Sequence, residues 1–181
     1  MSSPRKLHHF VDGEWLPYQH GAVYQRYDNK LIAGVPSGDA RYAISLLSLL
    51  SGPFYLLYVL HTPRGEAEPG RYQSPLTPKE DVVDWMTSIS AFLAADGRFD
   101  LWIHDPAAGA TLVWDRHDLL HAYGAVDRFA ACLDSLGFVE GEPRIPSPHD
   151  HYFRQEFDGV ARDIMQSRDW YRTPLRDEDM Q

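Results

Sequence analysis

The alternation of apolar and polar positions divides the chain into short extended segments followed by helices and strands in turn. Up to about Pro36 the apolar residues come in brief runs between turn formers. "VDGEW" carries an Asp-Gly turn signal, and "VYQRYDNKLIAGV" reads as two strands joined near Asp28-Asn29-Lys30. Ser37 or Asp39 is placed to cap a helix running to about Ser51. Its apolar stripe is Ala43, Leu46, Leu47 and Leu50, and Gly52-Pro53 stops it. "FYLLYVL", residues 54–60, is apolar at every position, the pattern of a strand buried on both faces.

A long connection over residues 62–76 separates that strand from the next helix. Thr77-Pro78-Lys79-Glu80 predicts the helix start: a capping threonine, a proline at the first helical position, and a glutamate closing a capping box. Val82, Met86, Ile89 and Leu93 carry the helix on to Asp96-Gly97. "FDLWIH" and "TLVWD" predict strands joined by "DPAAGA", and "LLHAY" a further strand after the turn "RHD". Val126, Phe129, Ala130, Leu133 and Leu136 predict a helix closed by Gly137, with a short "FVEG" strand behind it. Beyond "EPRIPSP", a helix is expected over 147–167, striped by Phe153, Phe157, Val160 and Ile164. The tail, 168–181, is expected to anchor through Trp170-Tyr171 and then fray.

These elements predict an α+β protein with a largely antiparallel sheet and helices packed on it, one domain over 1–181. Over about residues 54–140 the order resembles a split β-α-β, ferredoxin-like unit. Strands and a helix in 1–53, including a β-hairpin, precede that unit, and the C-terminal helix follows it. The resemblance is one of topology alone and carries no function with it.

Composition narrows the partners. With 181 residues, 44% hydrophobic and 24% charged, the chain is an ordinary globular one. A formal charge of −9 argues against nucleic acid, which needs clustered Lys and Arg, and favours solubility or a basic protein partner. Lysine occurs only at Lys6, Lys30 and Lys79; arginine supplies the other basic residues, as in a GC-rich bacterial coding sequence. The single Cys132 excludes an internal disulfide. The N-terminal stretch has no signal-peptide pattern, and "ISLLSLLSGPFYLLYVL" is broken by Gly52-Pro53 rather than spanning a membrane. A cytoplasmic protein is the expectation.

Candidate chemistry is sparse. No HExxH, paired Cys/His, P-loop, GxGxxG or nucleophile-elbow pattern occurs, so neither metal nor cofactor is expected. His117 and His121 read as separated by a turn, and His149-Asp150-His151 as the first turn of a helix, where alternate residues do not share a face. Cys132 reads as a buried structural thiol.

The topology suggests one edge. If the first and second strands of the split unit run parallel, His61 and His104 end at the same side of the sheet, about 10 Å apart. The long loop would bring Arg64, Glu66, Arg71 and Tyr72 beside them, next to Asp105. Two functional readings follow. The first is a non-enzymatic binding or regulatory protein, immunity-like in its concrete version, engaging a basic partner through an acidic surface or the 62–76 loop. The alternative is an enzyme or ligand-binding domain for an anionic small molecule at the His61/His104 edge, with arginines holding the anion and a histidine moving protons. A homodimer through the C-terminal helix is a third expectation.

Overall fold

The apolar run at residues 54–60 does form a strand inside a large sheet, but its neighbours differ from those a split β-α-β order requires. The computed structural model describes residues 4–180. Its strands are β1 (Leu7–Val11), β2 (Glu14–Pro17), β3 (Val23–Arg26), β4 (Lys30–Gly34), β5 (Tyr55–Leu60), β6 (Gly70–Gln73), β7 (Phe99–Asp105), β8 (Ala110–Trp114), β9 (Leu119–Tyr123), β10 (Val139–Glu140), β11 (His149–His151) and β12 (Tyr171–Thr173). Its helices are α1 (Arg41–Ser48), α2 (Lys79–Ser88), α3 (Ser90–Ala95), α4 (Val126–Ser135) and α5 (Asp158–Gln166). Nine strands form one sheet in the order β10-β3-β4-β9-β8-β7-β5-β6-β12; the other three form a small sheet ordered β11-β1-β2.

The N-terminal reading holds: Asp12 and Gly13 both take positive φ, 51° and 89°, at the tight β1–β2 turn. β3 and β4 pair as the pattern of residues 23–35 implies. Gly34 shows why one strand position must lack a side chain. A Cβ there would stand 2.5 Å from the Cβ of His20, an atom with no rotamer freedom to retreat. Gly34→Ala should therefore cost about 1–3 kcal/mol of stability, measured by urea unfolding.

The ferredoxin-like order is not what connects the middle of the chain. β5 and β7 are direct neighbours and antiparallel, with Tyr55 opposite His104 and Leu60 opposite Phe99. The cause lies in the long connection: residues 70–73 are not loop but β6, which folds back antiparallel on β5. The chain then crosses over through α2 and α3 and returns as β7 on the other side of β5. The parallel pair with an antiparallel strand between its members is thus β6 and β7.

Three further expectations change. Thr77 does not cap α2: its hydroxyl donates to Pro75 O at 2.9 Å, while its backbone bridges to Phe54. The predicted helix over 147–167 divides, because His149–His151 is drawn out as a strand along the free edge of β1 and the α-helix begins only at Asp158, after a 3-10 turn at Gln155–Phe157. The tail does not fray after Trp170; it adds β12 to the edge β6, and a 3-10 turn, Asp177–Met180, follows.

Register separates two faces of the large sheet. On one, Tyr58, Leu101, Trp114, Leu120 and Ala33 lie in a cross-strand row. These residues form a single buried cluster with the apolar stripes of all five helices, among them Leu46, Met86, Phe92, Phe129 and Ile164. Phe92 and Tyr58 stack on Phe99 from either side, at 4.9 and 4.8 Å between centroids. α5 therefore packs into its own chain through Ala161 and Ile164.

Candidate functional site

Among the described residues the opposite face of the large sheet carries no α-helix, only the 3-10 turn Asp177–Met180 at its margin, and its composition is unusual for a solvated face. Its central row runs Ile32, His121, Val113, Trp102, Leu57 and Gln73 across six strands. The next row holds Lys30, Tyr123, Thr111, His104 and Tyr55. Solvated antiparallel faces alternate to polar residues; here aromatic and aliphatic side chains share the face with polar ones, Tyr55 exposed, Trp102, Leu57 and Ile32 half-buried and Val113 buried. None of Trp102, Leu57 or Val113 belongs to the buried cluster under the helices.

Two clefts open on this face and share Trp102. The larger, about 530 Å³, is walled by Trp102, Tyr123 and Val113 and receives four carboxylates: Asp100 and Asp115 from the sheet, Glu178 and Asp179 from the C-terminal turn. Arg116, His117 and His121 stand among them. The smaller, about 290 Å³, lies over Tyr55, Leu57, Gln73, His104 and Thr111.

The two sheet carboxylates are held by defined partners. Asp115 Oδ1 accepts from the backbone N–H of His117 and of Leu119, both at 2.9 Å, and Oδ2 accepts from His121 Nε2 at 3.0 Å. Burial opposes ionisation of this carboxyl. Hydrogen bonds from His117 and His121 outweigh it and hold the group well below the usual carboxylate range. Asp100 Oδ1 accepts from the Arg116 N–H at 2.7 Å, and Oδ2 from His61 Nε2, also at 2.7 Å. Asp179 reaches the cleft because Arg71 Nη1 donates to it at 2.6 Å, with the guanidinium 5.6 Å from the Trp102 ring. Both members of that pair are nearly buried. The lining thus offers carboxylates in excess of guanidinium groups and, among the described residues, no serine, cysteine or lysine.

The residues expected at one edge are dispersed. His61 follows β5 and hydrogen-bonds through its N–H to Arg98 O, whereas His104 lies at the far end of β7, opposite Tyr55. Six residues of extended chain separate those levels, about 20 Å. The shared edge fails because β5 and β7 are antiparallel. His104 instead contacts Thr111 Oγ1 through Nδ1 at 2.9 Å in the smaller cleft. Arg64 donates to Asp158 at 3.0 Å, and Glu66 reaches the buried Arg98 at 3.1 Å, so this part of the long loop is bound to the body of the protein. Tyr72 lies on the helix-covered face, opposite Tyr58, and donates to Glu68 O at 2.6 Å. Asp105 is fully buried and turned away from the open face. Of the expected set, His61 and Arg71 border the larger cleft through the carboxylates they hold.

The sequence reading missed Asp100, Trp102, Asp115 and the joint position of His117 and His121. The alternation in "FDLWIHD" was the available signal, since it places Asp100, Trp102 and His104 on one face. The turn between β8 and β9 does not separate His117 from His121. Asp115 gathers both, His117 Nδ1 lying 3.6 Å from its carboxylate.

Among the described residues, no helix is long and apolar enough to cross a membrane. No family model, no curated protein and no solved structure matches the chain.

Proposed function

We propose that the protein is a non-enzymatic binding protein that receives the basic surface of a partner protein on the open face of its large sheet. One observation carries this reading: the uncovered band around Trp102 adjoins a cleft that four carboxylates enter. An exposed apolar band on a sheet face marks an interaction surface. Carboxylates beside aromatic walls suit an arginine or lysine side chain, which gains charge pairing and a cation–π contact with Trp102 or Tyr123. The formal charge of −9 draws a cationic partner toward this face over distances of about a Debye length. Neutralisation of a basic toxin by an immunity-type protein is the concrete form of this function.

The alternative expectation, an anionic ligand held by Arg64 and Arg71, has less to support it. Both guanidiniums are already committed to carboxylates, Asp158 and Asp179. A cleft of about 530 Å³ does suit a small molecule, but its lining holds four carboxylates against the one guanidinium of Arg116.

A tetra-arginine peptide tests the reading. Calorimetry should show binding that weakens by an order of magnitude or more between about 50 and 500 mM salt. Trp102→Leu and Glu178→Gln should each weaken it, the former about tenfold, and a tetra-glutamate peptide should not bind. Equal binding of the two peptides, or affinity for tetra-arginine untouched by both substitutions, would refute the assignment.

A further inference from the structure

Two histidines of β11 and a third from the distant turn between β8 and β9 meet where the small sheet closes against one end of the large one. His149 and His151 alternate along β11, so both side chains leave the same face of that strand. Pairing with β1 fixes their level, His9 opposite His149 and Leu7 opposite His151. His117 arrives from the turn between β8 and β9. There its N–H donates to Asp115 at 2.9 Å and its carbonyl accepts from His20 Nε2 at 2.8 Å. Backbone hydrogen bonding on both sides thus places the three rings.

One nitrogen from each ring lies within 4.8 Å of the other two. A point therefore exists no more than about 2.8 Å from all three, the edge length divided by √3. Side-chain adjustments of about 0.7 Å would bring that distance to the 2.0–2.1 Å of a zinc–imidazole bond. The rings meet edge to face rather than in stacks, at interplanar angles of 75°, 67° and 74°.

The groups behind the rings point the same way. His149 Nδ1 is 2.9 Å from Pro146 O, which can only accept, so Nδ1 carries the proton and Nε2 keeps a lone pair. The Asp115 carboxylate stands 3.6 Å behind His117 Nδ1. A backbone carbonyl behind one imidazole and a carboxylate behind another is the usual outer arrangement of a histidine metal site. His151 Nδ1 is buried and has no hydrogen-bond partner among the described residues. An unpaired buried nitrogen is costly, and ligation through it would offset that cost.

We propose that His117, His149 and His151 form a transition-metal site that takes zinc, with a fourth position open to water or an external ligand. Imidazole nitrogens favour zinc, nickel, cobalt or copper over magnesium or calcium, which prefer oxygen. The site borders the partner-binding cleft and shares His117 and Asp115 with its lining, whereas His149 and His151 lie outside that lining, so loss of zinc binding in their variants is read separately from peptide binding.

The test uses the untagged full chain, stripped with a chelator and titrated with zinc by calorimetry and with cobalt by visible absorption. The expected result is one zinc per chain with a dissociation constant of about a micromolar or tighter, cobalt absorption of tetrahedral type, and no competition from millimolar magnesium. His149→Gln and His151→Gln should each weaken zinc binding by roughly 100-fold, by analogy with the losses seen when metal-site support is removed. His104→Gln, outside the cluster, should leave the affinity unchanged. Thermal unfolding of the metal-free proteins checks that each variant folds, and zinc should raise the midpoint of the wild type and not of the double variant. Failure of the wild type to bind zinc stoichiometrically, or binding that survives His149→Gln/His151→Gln, overturns the proposal.

Discussion

Arg98→Met should destabilise the protein by about 3–5 kcal/mol in urea unfolding, one of the two largest losses expected from a single substitution here. Arg98 is fully buried immediately before β7, and each nitrogen of its guanidinium donates a hydrogen bond. Nε and Nη2 form a fork on Asp96, both at 2.8 Å; Nη1 donates to Glu66 at 3.1 Å; Nη2 also reaches Asp158 at 3.1 Å and Arg154 O at 3.2 Å. Burial works against its charge, and the hydrogen bonds it donates to Asp96 and Glu66 keep it protonated, its pKa above the ordinary value.

Methionine would fill much of the volume but leave two buried carboxylates without a counter-charge. That, rather than lost packing, sets the size of the effect. Arg98→Lys should recover little, because a single ammonium cannot reproduce the fork. Replacing the acids as well, Asp96→Asn with Glu66→Gln in the Arg98→Met background, should recover part of the loss. Limited proteolysis gives a second readout: cutting within residues 62–69 should rise sharply in Arg98→Met, since Glu66 is the loop's buried tether. A loss below about 1 kcal/mol would show that the network does not hold the fold.

Asp105→Asn is the second, with an expected loss of about 2–4 kcal/mol. The carboxylate accepts four backbone N–H groups: Ala107 and Ala108 at 2.9 Å in the β7–β8 turn, Gly52 at 3.0 Å and Ser51 at 3.2 Å ahead of β5. One buried side chain so fastens two connections at the same end of the sheet. An asparagine has a single acceptor oxygen and would present donors to the remaining N–H groups.

The same bonds make this contribution pH-dependent. Burial alone would raise the Asp105 pKa, but the four N–H donors outweigh it and bring it below the ordinary 3.8. A carboxyl with a depressed folded-state pKa stabilises the protein fully above its unfolded value and loses that contribution as pH falls through the folded one. Wild type should therefore lose stability from about pH 4 downward more steeply than Asp105→Asn. Parallel acid-unfolding curves for the two proteins would remove the carboxylate from this role.

What was legible in the chain was much of what depends on near neighbours, the Thr77 cap excepted. Alternation in "FDLWIHD", the Asp12-Gly13 turn, the stripe of α4 and the breaks at Gly52-Pro53 and Gly137 each report a local preference that tertiary packing had no cause to override. Where a segment was short or faced an open strand edge, local preference lost. "GRYQ" is four residues between prolines and gave no strand signal by length, yet pairing with β5 satisfies its backbone. Residues 149–151 carried a helix-start pattern, yet the free edge of β1 offered hydrogen bonds that an isolated first turn of helix lacks. The two pairings of β5 account for the misplaced edge: β6 changes its neighbours, and the antiparallel β5–β7 pair sends His61 and His104 to opposite ends.

Charge shows the same division. The excess of acids is plain in the sequence. Which acids are structural and which line a cleft is decided by depth and side of the sheet, because a carboxylate's role is set by the donors within about 3 Å of it. Asp105 and Asp96 end beneath the sheet, bound to backbone and Arg98; Asp100 and Asp115 end on the open face. Lys6 and Asp118, 112 positions apart, form a buried pair at 3.2 Å that no local pattern announces. The chain by itself determined its longer elements and its sign of charge. The tertiary structure alone decided what faces what, since contacts between distant residues follow from strand order and register rather than from neighbouring residue types.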